Sequence, residues 1–261
     1  MVSEFKSSMP DIFRRNRFLA VSILLTIAVL AGAVCSDSSS TNATRVFADA
    51  DVARLASAAA AGDATQVNGL IKAGVDPNAV GDKGTSLLQW ALLNQSKAGL
   101  EALIAAGADP AHTDEAGDTL MHYAAKANDA SYLDILLAHR VDPNLRNAVT
   151  GVTPLMSALL GERHDQFRKL LAAGANPGLA DRMGNTAVHV AAKINESQHV
   201  LEMLQAGADP ASRNAQGATF QRYLNMTPID VLSEEARRER EGLQAWLKAH
   251  DVPLEDVPRS R

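Results

Sequence analysis

Seven histidines and one cysteine are the side chains of this 261-residue chain best suited to proton transfer, nucleophilic attack or metal ligation. Two of the histidines stand in matching phrases, Thr119-Leu120-Met121-His122 and Thr186-Ala187-Val188-His189. An imidazole can serve as acid, base or ligand, but catalysis needs convergent groups that act on one another. His122 and His189 are far apart in the chain. His112, His164 and His199 read as ordinary residues on helix or turn surfaces, and no set of His and Cys has metal-site spacing. There is no phosphate-cradling glycine loop and no Gly-x-Ser-x-Gly elbow. The sequence is therefore read as that of a non-enzyme, with no catalytic residue, no metal and no cofactor.

The matching phrases belong to a longer pattern. Ala106-Gly107-Ala108-Asp109-Pro110 recurs unchanged at residues 206–210, with variants ending at Pro77, Pro143 and Pro177, so the prolines step by 33, 33, 34 and 33. A second phrase keeps time, starting at Ser86, Thr119, Thr153 and Thr186. Self-similarity at a fixed period outranks any local propensity.

Each period has the physics of a helix pair. The Ser or Thr can cap the first helix by accepting from its free amides. The second helix carries an aliphatic stripe, as in Leu100, Leu103 and Ile104, or Leu133, Leu136 and Leu137. It stops at Gly74, Gly107, Gly174 or Gly207, where glycine takes the left-handed cap cheaply. The following Asp-Pro or Asn-Pro cannot continue a helix. Arg140 occupies the glycine slot in one unit, at a cost of roughly 1–2 kcal/mol. No single pair can bury its apolar face, so the expected fold is all-α: a solenoid of stacked helix pairs joined by short finger turns.

The glycine turn, the Thr-Pro-Leu-His-x-Ala phrase, the Leu-Leu pair and the Gly-Ala-Asp ending together resemble ankyrin repeats. The resemblance covers about residues 48–254, in about six units including caps. It departs at several points: the phrase keeps its proline only at Pro154 in the central units, and its histidine only at His122 and His189. The first unit has DVARLASAAAAGD in place of the Thr-Pro phrase and reads as an N-terminal cap. The resemblance implies that each histidine ties one unit to the next through backbone hydrogen bonds. In the last unit Thr227-Pro228-Ile229-Asp230 fits the consensus better than Thr219-Phe220, so residues 218–225 are read as an insertion that plugs the open end or meets a partner.

The start of the chain differs in kind. Arg14, Arg15 and Arg17 precede an uncharged stretch from Phe18 to Val34, then Ala31-Gly32-Ala33 and the sole cysteine, Cys35. This is the pattern of an export signal. Residues 1–35 are expected to be a signal, cleaved, lipidated at Cys35, or kept as a membrane anchor. Residues 36–47 read as a flexible tether and 255–261 as a C-terminal tail. Beyond residue 35 the chain carries 21 Lys+Arg against 28 Asp+Glu, a net of −7. That balance argues against nucleic-acid binding, which rests on neutralising phosphates. The mixed run Glu234–Glu241 places Glu234 with Arg238 and Arg237 with Glu241 at i,i+4, the spacing of a solvated helix face.

With no reactive site, function must lie on the surface. The ankyrin resemblance implies a protein partner held by finger tips and the near ends of first helices. By position these are Lys83, Thr85, Leu93 and Asn94, then Glu115, Asp118 and Lys126. The third unit gives Val149, Thr150, Val152 and Leu160, and the fourth Arg182, Met183, Asn185, Lys193 and Ile194. The third finger holds the extra residue of the 34-residue step and should protrude. Val149, Val152, Leu160, Met183 and Ile194 are apolar where scaffolding does not require it, edged by Glu162, Arg182 and Lys193. Such a patch is the expected form of a protein-binding site.

The ending GATFQRYLNMTPIDVLSEEARRERE also resembles ankyrin proteins found with type VI secretion effectors. That likeness implies a periplasmic immunity protein that covers a toxic enzyme such as a lipase. The alternatives are a periplasmic stress-protection accessory that binds an antioxidant enzyme such as catalase, and an envelope scaffold. Contact with a membrane is expected only through the N-terminal signal or a lipid anchor.

Overall fold

A computed structural model describes residues 43–255. The export signal, Cys35 and the tail after Glu255 lie outside the described residues. Within them the chain forms six successive helix pairs with no strand, and only two isolated antiparallel bridges, Val80 with Ser86 and Ala180 with Thr186.

The short helix α1 (Ala43–Val46) precedes the first pair, α2 (Ala50–Ala61) and α3 (Ala64–Lys72). The next pairs are α4 (Leu87–Leu93) with α5 (Lys97–Ala105), and α6 (Leu120–Lys126) with α7 (Ser131–Ala138). Then come α8 (Pro154–Leu160) with α9 (His164–Ala172), and α10 (Ala187–Lys193) with α11 (Ser197–Gln205). The last pair is α12 (Phe220–Asn225) and α13 (Glu234–Ala249).

The caps explain where the helices start. Ser86 accepts from the amide of Gln89, whose side chain returns a bond to the Ser86 amide, and Thr153 accepts from the amide of Met156. Asp49 caps α2 by accepting from the amides of Asp51 and Val52. The first helices stack on one another in chain order, from α2 to α12. Ala91, Ala124, Ala158 and Ala191 are fully buried on them, and their small side chains permit that close stacking. The second helices supply the deeper aliphatic layer, Leu100, Leu133, Phe167 and Val200, each fully buried.

Glycine is required at Gly99. A Cβ there would stand 1.9 Å from the carbonyl oxygen of Ala59, because α5 crosses α2 at backbone contact.

Two boundaries differ from the sequence reading. Residues 43–47 fall in the stretch assigned to the tether, yet Ala43 and Phe47 are buried, and the Phe47 ring packs edge-on to Trp90 at 5.8 Å. The packed array therefore begins at least as early as Ala43. The final unit starts at Thr219 rather than Thr227. Helix α12 takes the first-helix place against α10 and buries Phe220 and Leu224, whereas Ile229 and Val231 stay exposed. The inserted segment is thus the connection at residues 226–233 and not 218–225. Burial of two large apolar side chains outweighs a better match to the Thr-Pro phrase. In α13 neither i,i+4 pair closes among the described residues; Arg237 instead donates to the Leu232 carbonyl and Arg238 to the Glu234 carbonyl.

Candidate functional site

The fingers are built on a repeated device. Asp114, Asn147, Asp181 and Asn214 each turn a side-chain oxygen back onto the amides of their own loop. Neighbouring fingers are then tied backbone to backbone: Glu115 N to Lys83 O at 3.0 Å, Arg182 N to Thr150 O at 2.9 Å, and Ala215 N to Met183 O at 2.9 Å. The extra residue of the third finger breaks this register, so Ala148 N bonds Gly117 O instead. Asn147 closes the enlarged loop by accepting from Val149 N at 2.8 Å and Thr150 N at 2.7 Å. Val149 is left 54% exposed at its tip.

The other apolar side chains expected on the surface, Val152 apart, are exposed as well. Met183, on the adjoining finger, is 57% exposed. Leu93 and Leu160 are the last residues of α4 and α8 and Ile194 caps α10; all three are exposed. Glu162, Arg182 and Lys193, the charged residues expected beside them, are also exposed. Arg182 reaches across to donate to the Ala148 carbonyl at 2.6 Å, which locks the two fingers together. Lys83, Asn94, Glu115 and Thr150 are open to solvent, and Thr85 is half-buried, donating its hydroxyl to the Asp82 carbonyl.

Four expected contact residues are tied into the scaffold. Val152 is half-buried against the core, not exposed. Asn185 is buried, accepting from Lys193 Nζ at 2.7 Å and from Asn214 Nδ2 at 2.9 Å. Lys126 and Asp118 pair at 2.6 Å, both largely covered, and Asn147 Nδ2 donates to the same carboxylate at 2.6 Å. Burial pushes the Asp118 carboxyl up, but the Lys126 charge and these hydrogen bonds outweigh it and hold it below its ordinary range. Lys126 and Lys193 also lie over the rings of Tyr123 and Tyr223, at 5.3 and 4.7 Å. Burial and the bond to Asp114 raise the Tyr123 hydroxyl above its usual pKa.

The repeat histidines do what the resemblance implied. His122 Nε2 donates to Val152 O at 3.0 Å and His189 Nε2 to Ala218 O at 3.0 Å, each one unit ahead. Gln89 holds the same station in an earlier unit.

The reading of His112 and His199 as surface residues needs correction, whereas His164 is exposed on its helix. His112 is half-buried, its Nε2 2.9 Å from the Gly84 carbonyl oxygen. His199 is buried on α11, and His164 from the preceding unit stacks against it with ring centroids 4.8 Å apart. Glu196 Oε2 lies 2.9 Å from His199 Nδ1. The spacing Glu196-x-x-His199 was a legible signal, since i and i+3 share a helix face. The partnership with His164, 35 residues upstream, needed the stacking register.

No helix among the described residues is long and apolar enough to cross a membrane.

The family described as "Ankyrin repeats (3 copies)" matches residues 55–147 and 128–214. The chain is similar to Protein PhlB of Serratia liquefaciens, 41% identical over 115 residues, which are 44% of this chain and 51% of that protein. It thus spans about half the length of that relative. Among solved structures it is similar to the ankyrin repeat domain of Bcl-3, a member of the IkappaB protein family. There the TM-score is 0.62 and the identity 23%, over 72% of this chain and 81% of that one. The ankyrin repeat protein EF0377 gives a TM-score of 0.61 at 23% identity, over 74% and 97% of the two chains. At that identity the likeness speaks for the fold alone.

Proposed function

From the premise that this chain belongs to the ankyrin-repeat family, whose repeats are generally protein-binding modules, we propose that it is an exported, periplasmic immunity protein. It binds and covers a type VI secretion effector such as a lipase. The observation that carries the binding reading is the set Leu93, Val149, Leu160, Met183 and Ile194. All are exposed, at finger tips or first-helix ends. Exposed apolar area rimmed by charge favours a protein partner, because its burial supplies the driving force and the rim sets orientation. The surface is rigid: fingers are bonded to one another and helix ends are capped, so docking needs little rearrangement. Export is supported by the charged and apolar pattern of residues 1–35. The choice of a toxic enzyme as partner rests on the likeness of residues 217–241 to type VI-associated ankyrin proteins.

Two measurements test this. The first is recovery of a partner from envelope extract by the native chain and by Leu160→Glu with Met183→Glu, both exposed positions outside the core. Loss of the partner supports the surface; unchanged recovery overturns it. The second is deletion of the gene in dense culture. Killing of the deleted cells by intact siblings supports the immunity role. Harmless growth with sensitivity to peroxide instead assigns the antioxidant-enzyme role.

A further inference from the structure

We propose that His164 and His199 form a binding site for a divalent transition-metal ion of the zinc class, with Glu196 fixing the His199 ring from behind. His164 Nδ1 and His199 Nε2 are 3.2 Å apart. Zinc binds imidazole nitrogen at about 2.0–2.1 Å, and two such bonds at a tetrahedral angle put the nitrogens about 3.3 Å apart. In the structure this contact is a hydrogen bond from His164 Nδ1–H to His199 Nε2, and its length is close to the separation at which one ion could take the place of the shared proton.

The carboxylate completes a recognisable arrangement. Glu196 Oε2 accepts from His199 Nδ1–H at 2.9 Å, which leaves the Nε2 lone pair directed at His164. A carboxylate behind a ligating imidazole sets its tautomer and raises its basicity. Ligand-capable atoms of all three residues lie within 4.8 Å of one another. Phe167, edge-on to the His199 ring at 4.4 Å, and buried Leu159 hold that ring in place. His164 is the exposed member, through which an ion would enter from solvent as its Nδ1 gives up the bond to His199.

Arg163 lines the same cavity, but its guanidinium is engaged with the Lys126 carbonyl at 3.1 Å and Asn128 Oδ1 at 2.7 Å. Neither histidine is required by the repeat. Gln166 stands one unit earlier at the place of His199, and Ser197 one unit later at the place of His164. Imidazole donors select zinc, nickel, cobalt or copper over magnesium or calcium.

The test is titration of the purified full chain with Zn²⁺ against a competing chelator dye at pH 7.5, in a Cys35→Ser background. We expect one ion per chain, and a melting temperature that rises with free zinc. His164→Ala, at an exposed position, should weaken binding at least tenfold. Glu196→Gln should weaken it about 10–100-fold by loosening the His199 ring. His112→Ala should leave it unchanged. His199→Gln repeats the loss in a variant whose glutamine is already accommodated at residue 166. Absence of stoichiometric zinc binding, or equal affinity in His164→Ala, would overturn the site.

Discussion

His122 Nε2 donates to the carbonyl oxygen of Val152 at 3.0 Å, so one imidazole reaches across from its own unit to the next. Its other nitrogen, Nδ1, accepts from the Thr119 amide at 3.1 Å, which requires the neutral ring. Protonation would set an Nδ1–H against that N–H. Burial is the main cause of a lowered pKa at His122. The Val152 bond and the Asp118 and Asp114 charges oppose the shift, while Lys126 adds to it. His189 repeats the arrangement, with Lys193 and Asp181 as its charged neighbours.

The consequence is acid sensitivity of a definite sign. In the unfolded chain these histidines take up protons near pH 6.5, while in the folded chain they resist doing so. Stability is therefore full above about pH 6.5 and falls as the pH drops below it towards the lowered folded values. His122→Ala should cost roughly 3 kcal/mol, since buried partners lose their bonds. His122→Gln should stay within about 1 kcal/mol of native at pH 7.5, as Gln89 already fills that station. It should also flatten the loss of melting temperature between pH 7.5 and 5.5. An unchanged pH profile would mean that the ring takes up its proton equally readily in the folded and the unfolded chain.

Gly99→Ala should lower stability by about 1–3 kcal/mol, because the added methyl would meet the Ala59 backbone and force α5 off α2. Helix propensity alone predicts the opposite sign, since alanine is the better helix former. Urea unfolding of the two proteins distinguishes the two effects. A midpoint equal to or above native would show that the crossing is looser than described.

Arg140 sits at φ +59°, the left-handed conformation that glycine adopts at the equivalent Gly107 and Gly174. Arg140→Gly should therefore raise stability by about 1 kcal/mol. The gain should appear as a higher denaturation midpoint at unchanged slope. A lower midpoint would mean that the arginine side chain stabilises the turn by more than its backbone costs.

The repeat, its helices and their stops were legible because each rests on local chemistry: Ser86 as cap, Gly107 as stop, Pro110 as breaker. Two features were not. The true start of the last unit depends on whether Phe220 or Ile229 finds a buried place, and burial is decided by the preceding unit rather than by the phrase. The His164–His199 pair depends on the stacking register that brings residues 35 apart into contact. Among the surface residues, apolar ones such as Met183 and Leu160 were readable as unneeded by the scaffold. Asn185 was not, because its partners Lys193 and Asn214 come from two different units.

Asn147 tests the third finger. Asp114 and Asp181 occupy its place in neighbouring fingers, so Asn147→Asp looks conservative by position. The contacts say otherwise. Asn147 Nδ2 donates to Asp118 Oδ1 at 2.6 Å and to Ala116 O at 3.0 Å, and a carboxylate can do neither. The variant would set two carboxylates side by side in a half-buried place. Like charges so close raise the pKa of the pair. A carboxyl whose folded pKa is raised costs stability above that pKa and regains it as the pH falls through it. The variant should therefore be less stable than native by about 1–3 kcal/mol at pH 7.5, and the gap should narrow towards pH 5. Asn147→Ser, which keeps a short acceptor without the charge, should show a loss that does not narrow. Thermal melts of the three proteins across that range decide the matter, and a gap independent of pH in Asn147→Asp would place Asp118 elsewhere than beside residue 147.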